Sequence, residues 1–229
     1  LTRPGNDGAA LPGGGGLGGP GLLVTFEGPE GSGKSTLISS LAAHLRARGV
    51  EPLLTREPGG TAIGERIRAI LLDPASEGMA AETELLLMVA SRAQLAREVI
   101  RPALAAGRLV LCDRFADASV AYQGFGRGLG RERVDRLNAV ALDGLRPDLT
   151  LLCLLPPELG LARIGGRAPD RLDAERLEFH QRVYDGYRAL AAEAAWRFRV
   201  LDATAGPDQL LAAALEQLRG LEHSLLCGL

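Results

Sequence analysis

The chain has 229 residues, 46% of them hydrophobic and 24% charged, with a formal net charge of -2. That length and balance fit one soluble domain with a sizeable core. Near-equal numbers of basic (26) and acidic (28) residues exclude a polybasic nucleic-acid coat or membrane-surface binder. Three cysteines (Cys112, Cys153, Cys227) and three histidines lie far apart, so no zinc spacing, CxxC pair or disulfide framework is predicted. No run of 18 apolar residues suggests a membrane span.

Residues 1–21 hold 9 of the 30 glycines and 3 of the 13 prolines. They offer little to bury and read as a flexible tail without a secretory signal, so a cytoplasmic protein is expected. The remainder, 22–229, reads as one domain. Residues 22–26 (LLVTF) form a buried strand. A glycine-rich turn leads into a helix over 35–48 with Leu37, Ile38, Leu41, Ala42 and Leu45 on one stripe. A second strand is predicted at 50–55. A long helix follows over 82–101, ended or kinked by Pro102. Strands at 109–112, 149–155 and 198–201 alternate with helices at 131–142, 177–195 and 208–223. Such alternation predicts a three-layer α/β/α fold around a five-stranded parallel sheet. Ligands in such folds sit beyond the carboxyl ends of the strands. The loops of interest are therefore 27–34, 56–62, 113–128, 156–175 and 202–207.

The first loop carries chemistry. Gly28-Pro29-Glu30-Gly31-Ser32-Gly33-Lys34-Ser35-Thr36 matches G-x-x-x-x-G-K-[ST] between a strand and a helix. Its glycines let successive N–H groups face an anion, and the helix adds its positive end. Lys34 supplies a point charge for the β- and γ-phosphates, and Ser35 a hydroxyl for Mg²⁺. Lys34 is the sole lysine among 26 basic residues. A strong bias towards Arg thus yields where a compact ammonium suits the chemistry. This loop alone leaves GTPases, ATPases and kinases open. A guanine-recognising N-K-x-D loop needs a second lysine, which the chain lacks.

The later loops add arginines: Arg56 in TREPGGT, Arg92 in ASRAQL, Arg114 in DRF, and Arg163, Arg167 and Arg171 in the fourth loop. Taken in order, GPEGSGKST, TREPGGT, ASRAQL, DRF, AYQGFGRGL and RPDLT resemble bacterial thymidylate kinases over about residues 22–205. The resemblance implies a P-loop kinase that moves the γ-phosphoryl of ATP, with Mg²⁺, onto dTMP as a homodimer. It implies that Arg56 and Arg114 hold the acceptor phosphate and that Asp113 meets the metal. Glu30 would meet the acceptor sugar or a metal-bound water, Arg92 would read the pyrimidine, and Ser119 and Gln123 would line the base. Tyr122 would lie against the deoxyribose. One departure is visible: Met88 stands where the family places a stacking Phe, giving a less defined platform.

The residues also admit plainer readings. Arg56 and Arg114 could pair with Glu57 or Asp113, Tyr122 could serve the core, and 202–207 is either an adenine border or a helix cap. The nearest rival activities are a deoxynucleoside kinase and another pyrimidine nucleoside monophosphate kinase. An acceptor phosphate is largely a dianion at neutral pH, its second pKa being ~6. It needs positioning and charge neutralisation rather than a general base, which suits arginines better than a carboxylate. In relatives whose P-loop lacks arginine, as here, a lid supplies one. The segment 157–176 is the expected lid, with Arg167 as the cis arginine finger and Arg163 and Arg171 beside it. Arg167→Ala should therefore lower kcat with little change in the KM for ATP, as steady-state kinetics with ATP varied will read.

Overall fold

The computed structural model describes residues 21–165, 170–221 and 223–227. The expected tail, apart from Gly21, lies outside them. Strand β1 (Leu22–Glu27) is buried along its whole length, as a central parallel strand covered on both faces must be. β3 (Leu109–Asp113) and β4 (Leu149–Leu154) flank it. β2 (Leu53–Arg56) lies outside β3 and β5 (Phe198–Asp202) outside β4, giving the all-parallel order β2-β3-β1-β4-β5. Phe26 and Arg56 are both in register with Asp113. The segments leaving β1, β2 and β3 therefore emerge side by side at one edge of the sheet.

Side chains alternate across the strands. Leu22, Val24 and Phe26 pack beneath α1 (Lys34–Arg46) and α9 (Pro207–Arg219), against Leu41, Leu45, Leu215 and Leu218. On the opposite face Leu23 and Val110 meet Leu95, Ile100 and Phe115. There Leu152 meets Val183 and Tyr187 of α8 (Leu177–Glu193). Truncating a fully buried leucine such as Leu45 would cost roughly 2–5 kcal/mol.

The structure redraws several predicted elements. Val50 is not strand: its N–H bonds the Leu45 carbonyl and closes α1. Residues 62–72, which beyond the end of the 56–62 loop have no predicted element, form α2 (Ala62–Leu72), whose first turn is capped by the Thr61 hydroxyl. The long helix is α3 (Ala81–Leu95), a wide π-type turn at Ala96–Ile100 and α4 (Arg101–Ala105). Pro102 does not end it: it sits in the first turn of α4, directly after the wide turn at Ala96–Ile100, the kind of local distortion that lets a helix continue through a proline. The loop 113–128 is largely helical, comprising α5 (Ala116–Ser119) and a second π-type stretch at Val120–Gly126. Its glycines signalled a loop but serve packing: a Cβ on Gly126 would lie 2.7 Å from the Phe179 ring. α6 (Arg131–Leu142) matches its prediction. α7 (Pro157–Ile164) occupies the first half of the predicted lid.

Alternation also places Glu27, the last residue of β1, on the α8 side with no exposure. Its carboxyl accepts from the Phe115 N–H at 2.7 Å and the Tyr187 hydroxyl at 2.8 Å. Burial, helped by the charge of Asp117, raises its pKa from 4.5 to about 8. Between those values the folded chain holds a proton that the unfolded chain has lost, so stability from this group falls as pH rises. Glu27→Gln removes that slope. Its melting temperature, relative to wild type, should climb from pH 5 to pH 8 and level off beyond, as thermal unfolding at fixed ionic strength will read.

Candidate active site

The carboxyl edge of the sheet opens onto a cavity of about 610 Å³. The P-loop residues 30–36, Arg56, Arg92, Asp113, Arg114, Ser119, Tyr122, Gln123 and Arg163 all line it. Gly28 and Pro29 sit at its back, where their carbonyls accept from the Lys34 ammonium at 3.0 and 2.9 Å. The Ser32 hydroxyl lies 3.2 Å from the same nitrogen. Burial, with the Arg114 charge, lowers the Lys34 pKa.

The P-loop also has a lid of backbone. Gly31 adopts φ +67°, and a Cβ there would stand 2.2 Å from the Gly160 carbonyl oxygen in α7. A Cβ on Gly160 would stand 2.2 Å from the Glu30 carbonyl oxygen. The two glycines thus let α7 lie directly on the loop. At the end of α7 Arg163 donates to the Gly31 and Ala203 carbonyls, at 3.3 and 2.9 Å.

Arg114 is the centre of the opposite wall. Its backbone is left-handed at φ 66°, which costs a non-glycine residue about 1–2 kcal/mol. Two bonds hold that conformation: the Arg114 N–H to the Phe26 carbonyl and the Phe115 N–H to Glu27. The guanidinium donates to the Gly28 carbonyl at 3.1 Å, the Tyr187 hydroxyl at 3.3 Å and both Glu30 carboxylate oxygens at 2.8 and 2.9 Å. Tyr122 lies beneath it, 4.8 Å from ring centroid to guanidinium carbon, and donates its hydroxyl to Glu30 at 2.7 Å. Burial alone would raise the Glu30 pKa. The charges of Arg114 and Lys34 outweigh it and bring it down to about 2. Glu30 thus partners Arg114, a role the sequence did not suggest.

Arg92 is 1% exposed. It donates to Glu57 at 2.7 Å, to Asn138 at 2.7 Å, and to the Phe115 carbonyl and Ser119 hydroxyl at 3.0 Å each. The sequence offers Glu57 only as a partner for Arg56 or Arg114, and nothing in it marks Asn138. Glu57 directly follows Arg56, yet belongs to Arg92, and burial raises its pKa to about 6. Arg56 is half-exposed and pairs with Glu65 of α2 at 3.0 Å. Arg68, also of α2, lines the cavity and was missed with its helix, though Ile63, Ile67 and Ile70 carry the helical spacing.

The remaining lid arginines stand apart. Arg171 is buried away from the cavity lining, donating to the Leu71 carbonyl at 2.8 Å and to Glu84 at 2.5 Å. Arg167 lies outside the described residues. Met88 lines the cavity between Glu84 and Arg92, four residues from each on α3.

Two oxygens fit a divalent cation. Ser35 donates its hydroxyl to Asp113 Oδ2 at 3.1 Å, while Asp113 Oδ1 is buried without a partner among the described residues. No cluster of three or more candidate ligands exists among those residues. The donor set therefore suits Mg²⁺, which takes one or two carboxylates and completes its shell with phosphates and water. The described residues also include no helix long and apolar enough to cross a membrane.

The family model for thymidylate kinase matches residues 26–213. A thymidylate kinase of Desulfovibrio desulfuricans is 54% identical over 198 residues, covering 83% of this chain and 91% of the relative. One from Ectopseudomonas mendocina is 53% identical over 208 residues, covering 87% and 99%. One from Solidesulfovibrio magneticus is 52% identical over 213 residues, covering 90% and 100%. A match over 26–213, a range that includes the P-loop and the DRF segment, together with identity above half, shows that the chain belongs to the thymidylate kinase family, ATP-dependent enzymes that phosphorylate dTMP to dTDP.

Proposed function

We propose that this chain transfers the γ-phosphoryl of ATP to dTMP through the residues gathered in the 610 Å³ cavity. The observation that carries the reading is that Lys34 and Arg114 converge from facing walls, both bonded to the Gly28 carbonyl. The P-loop N–H groups and Lys34 hold the ATP phosphates. Arg114 and Arg56 take the acceptor phosphate. A guanidinium can bind it bidentately, which offsets the repulsion between two nucleotide anions. Glu30 and Tyr122 keep Arg114 aimed when no phosphate is present. Ser35 and Asp113 would hold Mg²⁺, which when bound neutralises charge on the ATP phosphates. Arg163 borders the donor side within the lid segment 157–176. Arg167 is assigned to the transferring phosphoryl on the strength of the resemblance. The acceptor arrives as an anion, so no side chain needs to remove a proton.

Homodimerisation belongs to the same reading. α2, α3 and α6 pack side by side. They leave Ile63, Ile70, Leu86 and Val140 exposed. Within the predicted long helix, Leu86 faces out, whereas Ile100 is core. Two copies joined through α2, α3 and α6 would cover the exposed set.

Two measurements test these assignments. Arg114→Lys keeps the charge but loses the fork, so kcat should fall about 10²-fold or more while the KM for ATP stays within about threefold. An unchanged kcat would remove Arg114 from the mechanism. Ile70→Glu should convert a dimer to a monomer in sedimentation velocity at micromolar concentration.

A further inference from the structure

The base end of the cavity carries a polarity that its lining residues do not set for themselves. Gln123 donates its amide nitrogen to Glu84 Oε1 at 2.8 Å. Glu84 has no exposure and also receives Arg127, through Nε at 3.2 Å and Nη2 at 2.9 Å, and Arg171 at 2.5 Å. Burial would favour a proton on Glu84, but the bonds from Arg127 and Gln123 outweigh it and hold its pKa below the ordinary range. A carboxylate accepts and cannot donate. The Gln123 atom facing it must therefore be the nitrogen, and the amide oxygen is the acceptor left over. No donor among the described residues occupies that oxygen.

Arg92, two turns along α3 from Glu84, is fixed in a complementary way. Of its five N–H donors, four are spent on Glu57, Asn138, Phe115 and Ser119. One Nη1 hydrogen remains. The Ser119 hydroxyl rotates and can donate or accept, so it carries no fixed polarity. The cavity's base end thus offers one fixed donor, Arg92, and one fixed acceptor, Gln123, with the Met88 thioether between Glu84 and Arg92 as apolar surface.

We propose that Glu84 is a specificity-positioning residue: by holding the Gln123 nitrogen, it presents the amide oxygen to the acceptor base and so selects a keto pyrimidine over an amino pyrimidine. Thymine and uracil present an N–H beside a carbonyl, which matches acceptor and donor. Cytosine presents a bare ring nitrogen beside an amino group and is mismatched at both positions. A free amide would flip and serve either base. Glu84 denies it that freedom. The inference deepens the kinase reading and rests on it.

The test is the ratio of kcat/KM for dTMP to that for dCMP, measured on the full chain with saturating Mg-ATP. Glu84→Gln can receive either end of the Gln123 amide, so the ratio should fall about tenfold or more. General loosening of the fold would lower both rates together and leave the ratio unmoved. An unchanged ratio in a folded E84Q enzyme that still phosphorylates dTMP overturns the inference alone. No turnover of dTMP by the wild-type chain overturns the kinase reading and this inference with it. If E84Q does not fold, Glu84→Asp decides, since it keeps the charge that Arg127 and Arg171 bond but draws the carboxylate back from the Gln123 nitrogen. Loss of discrimination supports the assignment, and retention overturns it.

Discussion

A cavity that collects Lys34, Arg56, Arg92, Arg114 and Arg163 must hold together before any polyanion enters it. Two like charges 4 Å apart repel by about 4 kcal/mol at an effective dielectric near 20. The fold answers with a partner for every cation, and the partners differ in how easily they are exchanged. The Arg92–Glu57 pair is 1% and 3% exposed, so breaking it would strand a buried charge. The Arg56–Glu65 pair is 52% and 44% exposed, where such pairs contribute about 0–1 kcal/mol. Arg114–Glu30 lies between, at 17% and 18%. The gradient runs from a fixed guanidinium at Arg92 to an exchangeable one at Arg56. That order suits a site that recognises one group rigidly and takes up another by trading carboxylate for phosphate.

The carboxylates that make this possible titrate far apart although they share one edge of the sheet. Glu30 is held at about 2, Glu57 sits at about 6 and Glu27 at about 8. Glu27 and Glu57 are buried and Glu30 is largely shielded from water, and desolvation pushes each one upward. What separates them is the surrounding charge. Glu30 faces Arg114 and Lys34 together, Glu57 faces Arg92 alone, and Glu27 feels Asp117 before it feels Arg114. Glu30 therefore stays an anion throughout the physiological range, and Arg114 keeps its partner there. Glu27 retains its proton near neutrality and acts chiefly through geometry, receiving the Phe115 N–H that keeps Arg114 in its left-handed conformation.

Much of this was legible in the residues. Continuous apolar runs announced the buried strands, and the spacing between them announced a parallel sheet with its loops at one edge. The P-loop and the arginines after β2 and β3 followed from local pattern. Partners joined by long-range contacts did not. Glu57, Glu84, Asn138 and Tyr187 are ordinary polar residues on helices or loops, and only the fold brings them within bonding distance of Arg92, Gln123 or Arg114. The boundary errors share one cause. Glycine and proline were read as breakers, yet Pro102 opens a helix and Gly126 makes room for Phe179. Local chemistry reports what a residue permits, whereas packing decides which permission is used.

The single lysine shows the same rule from the other side. Elsewhere the chain meets every need for a cation with Arg, including buried, multiply bonded sites such as Arg92 and Arg114. Those sites surround the cation with acceptors in a plane or over an aromatic ring, which a flat guanidinium satisfies. Lys34 meets a different arrangement. Two carbonyls of the turn that it closes and one hydroxyl lie 2.9–3.2 Å from a single nitrogen. Three acceptors around one atom match the three hydrogens of an ammonium. A guanidinium spreads its five donors over a plane and three nitrogens, so it cannot aim three hydrogens from a single atom at these acceptors. When phosphate oxygens take the place of those acceptors, the ammonium exchanges its bonds without moving its stem far. A chain that otherwise avoids lysine retains one where three acceptors converge on a single nitrogen.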